Sequence, residues 1–216
     1  MDVIEAILNR YSVRDFSSQP VPKETVMKIL EAAIHSPSGI NGQPWEVFVA
    51  AGATLEKIRK IYQERPHNVP ARQSQPGAPP RPAFILERMA ALRNERMKLL
   101  GLDPNDQASG NVFTEWSRRL YGAMVLIVVC MDRGLSSNLD IGLFIQTICL
   151  AAQGYGVDSI IAQALVSHAD VLRQELEIPE SLNIVTGVGL GYANQSLINT
   201  YRSSRRPVQE VVRYKS

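Results

Sequence analysis

Apolar residues recur along this chain in two rhythms, one helical and one extended. Val3, Ile4, Ile7 and Leu8 make one face of a short helix that ends near Arg10, and Asp2 followed by Glu5 starts it in the manner of a capping box. Residues 11–20 read as a loop. Pro22 opens a second helix with a buried stripe of Val26, Ile29, Leu30 and Ala33. That helix stops before SPSGINGQP, whose prolines and glycines cannot continue it. Trp45–Ala51 is a strand of β-branched and aromatic residues, and Thr54 caps a helix over about 55–64. Helices are predicted over 84–100, stopped by Gly101, and over 108–121. Ala123–Met131 is an unbroken apolar run, as expected of a central strand covered on both faces. Residues 137–155 form a helix that is apolar nearly all round, which places it in a core or an oligomer interface. Gly156 ends it. Val157–Ala162 is a strand, Ser167 with Asp170 starts a polar helix over about 168–177, and Ile184–Tyr192 is the last strong strand. Helices and strands do not alternate strictly, so the fold class is α+β.

Residues 66–82 hold Pro66, Pro70, Pro76, Pro79, Pro80 and Pro82, almost half of the chain's 13 prolines, and no regular element survives that density. Residues 66–121 therefore read as an insertion between core strands of one domain spanning 1–216. The insertion is either a solvated excursion or a cover over a binding site; long insertions in compact domains are often functional. With 45% hydrophobic and 20% charged residues, the chain has a globular composition. A net charge of +2 argues against a general nucleic-acid binder. The longest apolar run falls far short of the roughly 20 residues that cross a bilayer, so no membrane partner is expected. The N-terminal stretch MDVIEAILNR does not read as a signal peptide. Cys130 and Cys149 sit in apolar surroundings as buried thiols, and the expected location is cytoplasmic. His35, His67 and His168 are scattered, and no Cys/His spacing suggests a metal.

Gly187, Gly189 and Gly191 in GVGLGY are spaced GxGxG rather than GxGxxG, and no helix opens after them. A dinucleotide fingerprint is excluded on both counts. Period-two glycines instead leave one strand face bare, so that something flat or bulky can approach closely. His35, Ser36 and Ser38 lie close in sequence, but SPSG is not a nucleophile elbow. Three segments carry chemistry. In Arg10-Tyr11-Ser12-Val13-Arg14, alternate residues of an extended stretch point the same way, which lets two guanidiniums and a hydroxyl converge on one anion. Ser204-Arg205-Arg206-Pro207 is a second basic segment. Pro37-Ser38-Gly39-Ile40-Asn41-Gly42-Gln43-Pro44-Trp45 is rich in side-chain amides, which suit a heterocycle with alternating donors and acceptors. Taken singly, a solvated arginine pair or a simple turn accounts for each.

Their order is more specific. Arg10–Arg14 with Phe16 comes first, then PSGINGQPW, then Asp140-Ile141-Gly142 with Gln146 and Leu150-Ala151-Ala152. Gly189-Leu190-Gly191-Tyr192 and Arg205-x-Pro207 follow. From about residue 3 to 213 this resembles the FMN-dependent nitroreductase family. Asp132-Arg133, Ala162-Gln163-Ala164 and the proline-bearing insertion are similar to the branch that reduces nitrobenzoate or nitrobenzene. The resemblance implies a three-layer α+β sandwich around a central, mostly antiparallel sheet. It also implies an intertwined homodimer with two FMN molecules at the interface. By motif position, Arg10, Tyr11, Ser12, Arg14 and either Arg205 or Arg206 hold the phosphate and ribityl end. Pro37, Ser38, Gly39 and Asn41 of the other chain contact the flavin. Gln163 and Ala164 lie beside the ring, with a main-chain amide near its reactive nitrogen; the family often has Glu-Gly at this pair. NAD(P)H as co-substrate and a small nitroaromatic then use the same flavin face in turn, in a ping-pong cycle. The flavin carries the chemistry, no side chain is required as a catalytic acid, and no metal is involved. The same motifs also suit a quinone, an enone or a halogenated aromatic as acceptor, or a non-catalytic FMN-binding protein, and they do not separate NADH from NADPH.

Overall fold

The computed structural model describes residues 2–66 and 80–216. Most of the proline-dense stretch, read above as irregular, lies outside the described residues. In chain order the elements are α1 (Val3–Asn9), α2 (Lys23–Ala33), β1 (Trp45–Ala51), α3 (Gly52–Glu64), α4 (Ala83–Leu99), α5 (Gln107–Arg118) and β2 (Val125–Asp132). There follow α6 (Asn138–Gly154), β3 (Asp158–Ala162), α7 (Ala169–Leu176), β4 (Leu182–Gly191) and a short α8 (Val208–Val211). Single helical turns occur at Gly39–Asn41, Leu120–Gly122, Gln163–Val166 and Leu197–Thr200.

β2 is apolar from Val125 to Met131 because both its faces are buried there. Leu126, Val128 and Cys130 point to one core, and Val125, Ile127, Val129 and Met131 to the other. β2 pairs antiparallel with β1 on one side and β4 on the other, and β3 pairs antiparallel with β4, giving the order β1-β2-β4-β3. α2 and α6 cover one face through Ile29, Ala33, Ile141, Phe144 and Ile148. Trp45 of β1 stacks on Phe144 of α6 with ring centroids 4.6 Å apart. α3 and α7 cover the other face through Leu55, Ile58, Tyr62 and Leu172. Each such side chain contributes about 1.5–3 kcal/mol on full burial. The result is the expected three-layer α+β sandwich, with an antiparallel sheet in the middle. The 66–121 segment joins the adjacent strands β1 and β2 by way of α3. α4 packs on the Leu197–Thr200 turn, and α5 packs on α3.

Several local expectations are corrected. Asp2 does cap α1, accepting the Glu5 N–H at 2.8 Å. Thr54 does not cap α3: Gly52, at φ 54°, turns the chain straight from β1 into the helix. Ser167 does not cap α7; His168 holds the cap position, and Asp170 instead meets Arg65 at 2.5 Å. Pro22 lies at the cap of α2 rather than inside its first turn. The helix expected to reach residue 121 stops at Arg118, because Leu120, Tyr121 and Gly122 all take positive φ. α6 buries Ile141, Phe144 and Ile148 against the sheet, while Leu139 and Leu143 face outward. The bare face left by the period-two glycines is filled by the chain itself. A Cβ at Gly187 would lie 2.6 Å from the Leu165 Cβ, and one at Gly191 would lie 2.7 Å from the Phe16 ring.

Candidate functional site

The segment after α1 is pinned at several points. Ser12 bridges to Ser159 at the start of β3, and the Val13 N–H donates to the Ser159 carbonyl at 3.0 Å. The Phe16 N–H donates to the Tyr121 carbonyl at 3.0 Å. The main clamp is Asn199, only 6% exposed. Its Oδ1 accepts the Arg14 N–H at 2.9 Å, and its Nδ2 donates to the carbonyls of Asp15 at 2.7 Å and Asn194 at 3.0 Å. One buried amide thereby joins the Arg14 segment to the turn that begins the C-terminal tail.

Arg14 Nη1 donates to the Ser12 carbonyl at 2.9 Å. Burial, reinforced by the charge of Arg96, pulls the Arg14 pKa down to about 10. Arg96 reaches this place from α4. Its own pKa is lowered by burial, its guanidinium lies 5.2 Å from the Tyr201 ring centroid, and its Nε is buried without a hydrogen-bond partner. The Tyr201 hydroxyl donates to Glu95 at 2.5 Å, and Arg202 sits 3.4 Å over the ring of Tyr11. Among the described residues, no carboxylate forms an ion pair with Arg14 or Arg96. Both remain charged at neutral pH. Two partly buried like charges, short of counter-charge, make a centre in which an anion is stabilised.

A second part of the site follows β3. Residue 163 stands four positions beyond Ser159, about 13 Å along an extended strand. Gln163 Nε2 donates to the Val185 carbonyl at 3.0 Å, and Leu165 packs where Gly187 leaves room. Beneath the turn, the fully buried Tyr62 donates to the Leu165 carbonyl at 3.2 Å and accepts the His168 N–H at 3.4 Å. Burial raises the Tyr62 pKa, so the phenol stays protonated and continues to donate. Ala164 is almost covered.

The other expected residues are placed less compactly. Arg10 ends α1, and its charge acts on Cys149 of α6, whereas Arg14 faces Arg96 of α4. Gly39 donates its N–H to Asp140 at the start of α6, at 3.2 Å, and the Gln43 N–H donates to Ser38 Oγ at 3.0 Å. Ile40 and Asn41 have φ of 50° and 57°, and Ile40 is fully exposed. Among the described residues no hydrogen bond joins this loop to Arg14 or to the Gln163 turn. Arg205 donates to the carbonyls of Ser203 and Ser204, both at 3.0 Å, and Arg206 is engaged with Glu210 at 3.1 Å. Both line a cleft of about 730 Å³ between α4 and the tail, and Tyr201 connects that cleft to the Arg14–Arg96 centre. Asn199, Arg96 and Tyr62 were not singled out by the sequence. Arg96 is one of several basic residues on α4, and an isolated Asn or Tyr gives no signal of its own.

The Nitroreductase family profile matches residues 7–192. The chain belongs to the nitroreductase family. It is 32% identical over 203 residues to the nitrobenzene nitroreductase of Ectopseudomonas oleovorans, covering 89% of this chain and 87% of that one. It is 29% identical over 223 residues to the 4-nitrobenzoate reductase of a Nocardioides species, covering 99% and 90%. The FMN-dependent nitroreductase NfnB of Mycobacterium smegmatis, solved in complex with NADPH, superimposes with a TM-score of 0.87 at 26% identity, over 99% of this chain and 97% of that one. Among the described residues, no helix is long and apolar enough to cross a membrane.

Proposed function

We propose that this family member is an FMN-dependent, homodimeric nitroreductase that uses NAD(P)H to reduce nitroaromatic compounds. The observation that carries the reading is the pair of partly buried guanidiniums, Arg14 and Arg96, with which no described carboxylate forms an ion pair. That donor set fits FMN, which has an anionic end and a planar heterocycle rich in hydrogen-bonding atoms. The named activities of the nitrobenzene and 4-nitrobenzoate reductases, and the FMN and NADPH of the Mycobacterium enzyme, support the same assignment.

Arg10, Tyr11, Ser12 and Arg14 would hold the phosphate and ribityl end, together with Arg205. Arg205 is favoured over Arg206 because it bonds only to the adjacent carbonyls of Ser203 and Ser204, while Arg206 is committed to Glu210. The Gln163–Val166 turn would lie beside the ring, set in height by Tyr62 from below. When bound, FMN supplies the two-electron chemistry, holding a pair taken from NAD(P)H until the acceptor arrives. The chain supplies position and charge: its guanidiniums favour added negative charge, and Gln163 presents a neutral amide where an acid would oppose it. The nitro group takes two electrons and two protons to give the nitroso compound and water; a second pair with two protons gives the hydroxylamine. No acidic side chain stands on the Gln163 turn, so the protons come from water.

The loop at Gly39–Asn41 supports the dimer. A β-branched residue in the left-handed region costs on the order of 1–3 kcal/mol, and strain of this kind concentrates at functional places. Ile40 carries that strain at full exposure, in a loop whose Gly39 is tied to Asp140 of α6, the helix that turns Leu139 and Leu143 outward. A second copy covering these residues would bring Pro37, Ser38, Gly39 and Asn41 to the partner's flavin. The test has three parts: the visible flavin absorbance of the purified protein with FMN released on denaturation, NAD(P)H consumption that requires a nitroarene, and sedimentation. A yellow dimer with acceptor-dependent turnover is expected. A colourless protein that cannot be reconstituted with FMN would overturn the reading.

A further inference from the structure

The turn that carries the chain from α5 into β2 is strained. Leu120, Tyr121 and Gly122 are consecutive left-handed residues, at φ 52°, 58° and 77°. Only the glycine takes that conformation freely. The segment that carries Arg14 holds the turn in place. The Tyr121 carbonyl accepts the Phe16 N–H at 3.0 Å, and a Cβ on Gly122 would stand 3.1 Å from the Phe16 carbonyl oxygen. Leu120 is wholly buried. Strain persists where packing over-determines it in this way, and it concentrates at functional places.

What the turn positions is the Tyr121 side chain. Its ring packs against the buried cluster that includes Val13 and Phe16, on either side of Arg14 in the sequence. Its phenol interacts electrostatically with both Arg14 and Arg96. Burial holds the phenol above the ordinary tyrosine pKa, against the pull of those two charges, so it is a donor at neutral pH. The Tyr62 hydroxyl is spent on Leu165 and that of Tyr201 on Glu95, whereas the Tyr121 hydroxyl bonds nothing among the described residues. A free phenol beside two guanidiniums that pair with no described carboxylate makes a three-donor site. A phosphate monoester, with three strong acceptor oxygens, satisfies all three donors.

We propose that Tyr121 is a further binding residue for the cofactor's phosphate, a hydroxyl donor beside Arg14 and Arg96 that the left-handed turn aims at the anion. The proposal rests on the FMN reading above and adds to it a residue and a ligand choice. Riboflavin, which lacks the phosphate, leaves the three donors unsatisfied, so this hydroxyl separates FMN from riboflavin.

The test strips the full-length protein of flavin and titrates FMN and riboflavin into wild type and Tyr121→Phe, which keeps the ring and removes only the hydroxyl. FMN affinity is expected to fall roughly ten- to hundredfold, the worth of a hydrogen bond to a charged group, while riboflavin affinity changes less than about twofold. The melting midpoint of the flavin-free variant stays within about 2 °C of wild type, since the lost hydroxyl bonds nothing there. Unchanged FMN affinity overturns the proposal. So does an equal loss for riboflavin, which would put the hydroxyl on the ring or ribityl chain. A midpoint that drops together with the affinity overturns it too, because Tyr121 would then be holding the fold. If wild type takes up no FMN at all, the functional reading fails, and inorganic phosphate titrated by calorimetry into the same two proteins still judges the three-donor site. Tighter phosphate binding by wild type supports it; equal binding, or none, overturns it.

Discussion

Replacing Asn199 with alanine is expected to loosen the segment that carries Arg14 while leaving the sheet untouched. The side chain makes three hydrogen bonds, at 2.9, 2.7 and 3.0 Å, to the backbone of Arg14, Asp15 and Asn194. Each is worth about 0.5–1.5 kcal/mol net, and the groups left behind are part-buried with no alternative partner in place. The loss is therefore roughly 2–4 kcal/mol. At about 2–4 °C per kcal/mol for a chain of this length, the melting midpoint should fall by about 5–15 °C. The assay is urea unfolding with and without FMN, alongside an FMN titration. Affinity should drop about tenfold or more, because binding must then re-order Arg10–Arg14. Asn199→Asp keeps the acceptor for the Arg14 N–H but sets an oxygen against the carbonyls of Asp15 and Asn194, so it should also destabilise, despite the nearby guanidinium. Thr200→Ala is the control: its hydroxyl bonds only the Leu197 carbonyl, at 2.8 Å on the surface, and a change within about 0.5 kcal/mol is expected. If Asn199→Ala unfolds like Thr200→Ala and binds FMN as wild type does, the clamp as described is wrong.

Gly187→Ala should cost about 1–3 kcal/mol and alter the visible spectrum of the holoprotein, because its Cβ would meet the Leu165 Cβ at 2.6 Å and lift the Gln163 turn; an unchanged spectrum and unfolding midpoint would contradict that packing. Arg14→Ala and Arg205→Ala should each weaken FMN about ten- to hundredfold, while Arg213→Ala, which donates only to the nearby carbonyls of Gln209 and Val212, should not; equal losses at all three would refute the phosphate assignment. Burial pushes the Cys130 thiol up to about 11 and raises that of Cys149, so both stay neutral at pH 8 and should resist iodoacetamide until the protein is denatured. Rapid alkylation of the native protein would show that one of them is open to solvent.

The sheet was readable from the sequence wherever burial left no choice. β2 is apolar from Val125 to Met131 because cores lie on both faces, and the alternating glycines of β4 correctly signalled a close approach. What approaches, the Leu165 turn and Phe16, was not readable, since contacts between residues that far apart leave no local pattern. The helix starts at Thr54 and Ser167 were misread for a related reason. Gly52 turns the chain without any cap, and Asp170 is drawn off to Arg65, neither of which a capping pattern encodes. Within the site, Arg10–Arg14 stood out because its residue types repeat at a spacing that chemistry can use. Asn199 and Arg96 did not, because their importance comes from which backbone or guanidinium they meet after folding. The tail arginines were seen as a group, and only the fold shows that Arg206 is taken by Glu210.

The central claim, that donor and acceptor use one cofactor face in turn, is tested most directly by separating the half-reactions without oxygen. NAD(P)H alone should bleach the bound flavin. After the nicotinamide is removed by gel filtration, adding nitrobenzene or 4-nitrobenzoate should restore the colour, with one nitroso equivalent formed for each electron pair, and steady-state double-reciprocal plots should be parallel. A flavin that bleaches but does not recover unless NAD(P)H is also present, together with intersecting plots, would show that both substrates must be bound at once and would contradict the account.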